Sequence, residues 1–177
     1  MKLLLIAHRT VTPEGVYLQT LEQHSRNVAH LCGKACEKIG LLHLGILTGL
    51  LHDLGKAEPA IQDYLYGKTS GVKLNHSSAG MRWIWETFGQ NESRERYRLA
   101  AQFIAIAVGC HHGTRCDLLD PESGSEPWLE RMYSERADPF YKKSCSQFFT
   151  YCIPQEELFA LMDQAAKEVS VLWKKLL

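Results

Sequence analysis

The sequence has no surplus of either charge. Lys and Arg together number 20, Asp and Glu together number 20, and the formal net charge is zero. It therefore lacks the global electrostatic signature of a nucleic-acid binder, and any such contact needs a local basic patch or bound cations. A long hydrophobic run is also missing. The opening Met1-Lys2-Leu3-Leu4-Leu5-Ile6-Ala7 is broken by His8, Arg9 and Glu14 before it can serve as a signal peptide, and no later stretch approaches the roughly 20 apolar residues of a membrane span. The expectation is a cytoplasmic chain. Its six cysteines (Cys32, Cys36, Cys110, Cys116, Cys145 and Cys152) form no CxxC pair and no zinc-finger spacing, so reduced thiols are expected. Cys110 and Cys116 bracket a histidine pair and are conceivable soft ligands. No complete Walker A motif (GxxxxGK[S/T]), internal repeat or low-complexity segment occurs, so no NTP-driven motor is expected within these residues.

What is present is ordinary globular composition, 45% hydrophobic and 23% charged, in 177 residues. That is enough for one domain over 1–177 with a sizeable core. The periodicity is helical. After a short extended lead-in at Leu3 to Ile6 and a turn at Thr12-Pro13-Glu14-Gly15, Leu21, His24, Val28, Leu31, Ala35 and Ile39 recur at three- and four-residue steps from about Leu18, and Gly40 closes that helix. Leu42 to Leu54 is apolar nearly all round, as a central helix would be. A short helix is expected from Pro59 through Leu65, and one from an Asn75 cap to Phe88. Another, capped by Asn91, is strongly apolar from Leu99 to Val108 and ends at Gly109-Cys110-His111-His112-Gly113. A loop follows over 117–127, then helices near Pro139–Tyr151 and Gln155–Leu176. Nothing reads as a convincing sheet, so the fold class is all-α.

The stretch Leu50-Leu51-His52-Asp53-Leu54-Gly55-Lys56 stands out. It places a histidine, an aspartate and a lysine inside an apolar run. On a helix His52 and Asp53 point about 100° apart and can both reach one ion beside it, with Lys56 on the same side of the cylinder. Gly55 reads as a helix end. Burying these groups costs several kcal/mol unless something compensates, and a metal ion would do so. The plainer reading is a half-exposed His–Asp hydrogen bond with Lys56 in solvent. Of eight histidines, five (His24, His52, His76, His111 and His112) sit at helix ends or on an apolar stripe, which shifts the balance toward metal. His8 and His43 lack such a setting, and His30 is ambiguous.

Taken in order, Leu21-Glu22-Gln23-His24-Ser25, the HD stretch with Lys56, Ile61-Gln62-Asp63-Tyr64-Leu65, His76-Ser77-Ser78-Ala79-Gly80 and His111-His112-Gly113 resemble the HD superfamily of metal-dependent phosphohydrolases. The closer resemblance is to the HD nuclease domain of the CRISPR type I interference effector, and it covers roughly residues 8 to 115. It implies a helical bundle with a two-metal site between central helices, bridged by Asp53. His24 and His52 would complete the first metal, and His76, His111 and His112 the second. Two cations roughly 3.5–4 Å apart can share a carboxylate, activate water and stabilise a phosphoryl transition state. A mostly imidazole shell favours Mn, Fe, Co or Ni over Mg. Lys56 would be a catalytic phosphate clamp or a group behind the ligands, or else a solvated lysine. The family pattern also ends on a late aspartate that closes the first metal. Here the only late candidates are Asp138 and Asp163, in surroundings unlike that motif, so that motif is left unmatched in this chain.

The implied activity is metal-dependent endonucleolytic hydrolysis of single-stranded DNA. The implied partners are a CRISPR helicase, on a separate chain or a missing part of this one, and the RNA-guided surveillance complex. Two other readings remain open: an HD-type nucleotidase or cyclic-nucleotide phosphodiesterase, and a non-catalytic module that binds metal or a partner. Substrate-facing candidates are Arg82 beside Trp83 and Trp85, Arg115, Arg131, Arg136, Lys142 and Lys143, with Arg115 preferred. At helical spacing Trp83 and Trp85 cannot both face one way, so at least one belongs to the core. The arginines of 94–98 read as a solvated helix face.

Overall fold

The computed structural model describes residues 4–70, 76–90, 96–113, 117–133 and 138–176. The fold is helical, as expected, but it opens on a hairpin the periodicity did not reveal. Strands β1 (Ile6–Thr12) and β2 (Gly15–Thr20) pair antiparallel across the Thr12–Gly15 turn. Val11, Val16, Tyr17 and Leu18 point outward, so the exposed apolar residues that look like the start of a helix belong to β-branched and aromatic strand positions instead. The first helix, α1 (Leu21–Glu37), begins only where the Thr20 hydroxyl accepts from the Gln23 N–H at 3.1 Å, an N-cap that fixes the boundary.

The buried face of α1 is also rotated from expectation. Leu21, Ser25, Ala29 and Gly33 are inside, while Leu31 and Ile39 are 67% and 61% exposed. The reason is the neighbour. α2 (Leu42–Leu51) lies so close that a Cβ on Gly49 would fall 2.4 Å from the Ala29 Cα, a distance only small residues permit. The bulky residues of α1 are therefore displaced from the contact. α2 is the central helix, packing on α1, α5 (Arg98–Gly109) and α8 (Gln155–Leu176). It has no side-chain cap of its own. Glu168 of α8 supplies one, accepting from the His43 and Leu44 N–H groups at 2.9 and 3.2 Å.

α2 ends at Leu51, three residues short of expectation, so His52 and Asp53 lie in the exit rather than within the helix. A 3₁₀ turn follows at Leu54–Ala57, then α3 (Pro59–Leu65), capped by Glu58. α4 (Ser77–Ile84) runs into a π-helical turn, Trp85–Gly89, and both Trp83 and Trp85 are core. The Asn75 and Asn91 caps lie outside the described residues. α6 (Pro127–Met132) is a short unexpected helix with proline in its first turn; α7 (Asp138–Tyr151) lies over the 3₁₀ turn and α4. Among the described residues no helix is long and apolar enough to cross a membrane.

Candidate metal centre

Asp53 is 2% exposed, and its two oxygens face two different sets of imidazoles. Oδ2 lies 3.0 Å from His24 Nε2, 3.1 Å from His52 Nε2 and 2.7 Å from Lys56 Nζ. Oδ1 lies 3.4 Å from His76 Nε2 and 3.6 Å from His111 Nε2. Within each set the nitrogens converge: His24 and His52 Nε2 are 3.0 Å apart, and His76 and His112 Nε2 are 2.6 Å apart.

Local folding explains the convergence. Because α2 stops at Leu51, Asp53 becomes the residue before the 3₁₀ turn, and the Lys56 N–H donates to the Asp53 carbonyl at 2.9 Å. Residues three apart eclipse in such a turn, which lays the Lys56 ammonium on the Asp53 carboxylate. Gly55 is not the left-handed helix end its position suggests. A Cβ there would lie 2.2 Å from the His76 carbonyl oxygen, so Gly55 is the gap that lets His76, the N-cap of α4, reach Asp53. His52 Nδ1–H donates to the Gly49 carbonyl and His111 Nδ1–H to the Val108 carbonyl, each at 2.7 Å. Both bonds fix the tautomer and leave Nε2 as a bare lone pair aimed inward.

Burial pushes the Asp53 carboxyl up. His111, His24 and His52 outweigh it and hold the group well below the usual carboxylate range. Burial lowers His76 to about 4, helped by the Lys56 charge and against the opposing pull of Asp53, and burial lowers His112 too. At neutral pH both are therefore uncharged donors. Asp53 Oδ1 and His111 Nε2 are buried with no hydrogen-bond partner. Each such orphan costs about 1–3 kcal/mol. A divalent cation would satisfy both, and a set of one carboxylate with imidazoles suits a first-row transition ion. The residues present fit a metal.

A family model described as Cas3, HD domain matches residues 14–176. The chain belongs to the Cas3 HD-domain family. It is thereby a CRISPR-associated, metal-dependent nuclease, a hydrolase whose cofactor is a divalent metal.

Within this Cas3 HD chain the structure gathers His24, His52, Asp53, Lys56, His76, His111 and His112 at one place. Arg115, Cys116 and Arg136 lie outside the described residues. Asp163 is elsewhere. It accepts from the Tyr97 hydroxyl and from Arg96 Nη2, at the start of α5, whereas the histidines follow its far end about 18 Å away. The side chain of Asp138 is outside the described residues. Arg82 pairs with Glu86 at 2.8 Å under the rings of Tyr133 and Tyr141, a packing role. Arg131 reaches Ser77, next to His76, at 3.4 Å. The residue that sequence reasoning passed over is His8. Its ring nitrogen, a ring nitrogen of His24 and a carboxylate oxygen of Asp53 lie within 4.8 Å of one another. Its helical periodicity signal is nil, because it is held by a strand.

Proposed function

We propose that this chain hydrolyses phosphodiester bonds in single-stranded DNA, with the strand supplied by a CRISPR helicase and directed by the RNA-guided surveillance complex. The observation that carries this reading is the buried carboxylate of Asp53, turned by its two oxygens toward two separate groups of imidazoles. In this assignment His24, His52 and Asp53 hold one divalent ion, and Asp53, His76, His111 and His112 the other. The ions would supply charge for the phosphoryl transition state and acidify water. The chain's own groups do the rest. The carbonyls of Gly49 and Val108 keep the His52 and His111 rings aimed, so the donors are in place before substrate arrives. Lys56 orients Asp53 and adds a fixed positive charge where a phosphate oxygen would approach. Arg131, beside Ser77, and Arg115 are proposed as further backbone contacts, which a chain of zero net charge needs locally.

His8 and His112 are both exposed, so the rim of the site is open, as a polymer substrate requires. The test is cleavage of circular single-stranded DNA in Mn²⁺ and in chelator, by wild type and Asp53→Ala, with mononucleotides alongside. The expected result is metal-dependent cutting of the circle that Asp53→Ala abolishes. Turnover of mononucleotides without cutting of the circle would overturn the polymer reading. Cutting that survives Asp53→Ala would overturn the site.

A further inference from the structure

The two sets of donors around Asp53 are unequal. The Oδ1 side has three imidazoles, His76, His111 and His112, whereas the Oδ2 side has two, His24 and His52. The geometry points to His8 as the missing donor: a ligand from the β-hairpin that completes the His24, His52 and Asp53 Oδ2 site for a first-row divalent ion. This rests on the reading that Asp53 and its histidines hold metal.

Four observations support it. First, the candidate ligand atoms of His8, His24 and Asp53 lie within 4.8 Å of one another, and the His8 ring stands nearly perpendicular to that of His24 with centroids 4.6 Å apart. Second, the strand is bent at this point. Ile6 pairs with Thr20 but His8 pairs with Gln19, so Ala7 is an extra residue, a β-bulge. Bulges bend a strand and re-aim its side chains, and they are common beside functional sites. Ile6 and Ala7 are both buried and His8 follows them at the rim, which a regular alternating strand would not give. Third, the bulge is anchored to the HD turn. The buried Gln62 side chain accepts from the Ile6 N–H at 2.9 Å and donates to the Ile6 carbonyl at 2.9 Å and to the Lys56 carbonyl at 2.7 Å. One amide thus ties the strand that carries His8 to the backbone three residues after Asp53.

The fourth observation concerns what else could fill the place. α7 lies over the Leu54–Ala57 turn, yet beyond Asp138, whose side chain is outside the described residues, the chain has no Asp or Glu from Pro139 to Gln155. Asp163 is held by Tyr97 and Arg96 at the opposite end of α5. Among the described residues His8 is the remaining donor on the Oδ2 side. It also precedes the family match, which begins at residue 14.

The test is calorimetric titration of the chelator-treated full chain with Mn²⁺, and with Co²⁺ followed by absorption. Wild type, His8→Ala, His8→Gln, His112→Ala and His30→Ala would be run, with thermal melts of each. His30 is an exposed residue of α1 and serves as the control. Wild type and His30→Ala should take up two ions per chain. Both His8 variants should keep the fold and one ion while binding the other at least 100-fold more weakly, a loss beyond that typical of removing a group behind a ligand. His112→Ala should instead weaken the ion that the His8 variants retain, so the two lesions separate. Two ions bound by the His8 variants with unchanged affinity would overturn the role of His8 alone. No uptake by wild type would overturn the metal reading itself.

Discussion

Gly55→Ala is the sharpest perturbation of the centre, because it alters no donor. The added methyl would sit 2.2 Å from the His76 carbonyl oxygen, 2.6 Å from its Cα and 2.7 Å from its carbonyl carbon. All three are backbone atoms, so no rotamer change can relieve the clash. To regain ordinary contact at 3.4 Å, the 3₁₀ turn and the start of α4 must part by about 1.2 Å. Asp53 is on one side of that gap and His76 on the other, so the separation falls directly on their 3.4 Å approach. Overpacking of this kind typically costs about 1–3 kcal/mol, within the roughly 5–15 kcal/mol that holds a domain together. The variant should therefore fold. A misplacement of about 1 Å, however, can cost on the order of 100-fold in rate. The expected outcome is a melting temperature lowered by a few degrees, weakened binding of the ion that needs His76, and nuclease activity down about 100-fold. Gly113→Ala is the comparison. That glycine has a φ of 76° with nothing within 4 Å of an added Cβ, so it should cost about 1 kcal/mol of backbone strain and leave metal affinity alone. Wild-type metal affinity and rate in Gly55→Ala would refute the claim that this close approach sets the site.

Asp53→Ala in the metal-free protein leaves the Lys56 ammonium buried without its partner and should cost about 3–5 kcal/mol in a urea titration. Adding Lys56→Met should recover part of that loss. His76 takes up its proton near 4 when folded and near its ordinary 6.5 when unfolded, so the unfolded chain binds more protons between those values. Metal-free stability should be full above about 6.5 and fall as pH drops toward 4, and His76→Ala should flatten that slope in denaturation curves taken in chelator. Burial pushes the Cys145 thiol up to about 12, so iodoacetamide at neutral pH should leave it unlabelled until the chain is unfolded, as read by mass spectrometry. Glu168→Gln weakens the cap that α8 places on α2 and should lower stability by about 1 kcal/mol in thermal melts, with metal stoichiometry unchanged.

The helices were legible because their signal is local. The apolar run of α2 and the alternation of α8 need no knowledge of what they touch. The errors arose where a partner decides. The inward face of α1 is set by how closely α2 approaches, and Leu31 and Ile39 lie outside because Ala29 and Gly33 are the residues thin enough to be inside. The hairpin was hidden because Tyr17 and Leu18 can continue the helical spacing of Leu21 backwards, and only the Thr20 cap stops it. For the centre, sequence could pick out histidines at helix ends, and the structure brings His24, His52, His76, His111 and His112 to Asp53. It could not find His8, whose direction depends on a bulge, nor discount Asp163, whose partners Arg96 and Tyr97 lie 67 and 66 positions away in the chain.

The same dependence explains why Asp53 follows α2 rather than lying within it. Inside a regular helix a carboxylate projects to one side and meets neighbours from a single direction. At the exit, with α2 ended at Leu51 and the 3₁₀ turn begun at Leu54, Asp53 faces α1 and the turn with one oxygen and the ends of α4 and α5 with the other. Gly80 makes this possible from the far side, since a Cβ there would lie 2.1 Å from the Leu51 carbonyl oxygen and would hold α4 away from the end of α2. A carboxylate shared between two groups of donors is thus a consequence of where the central helix stops and of how closely α4 can approach that end.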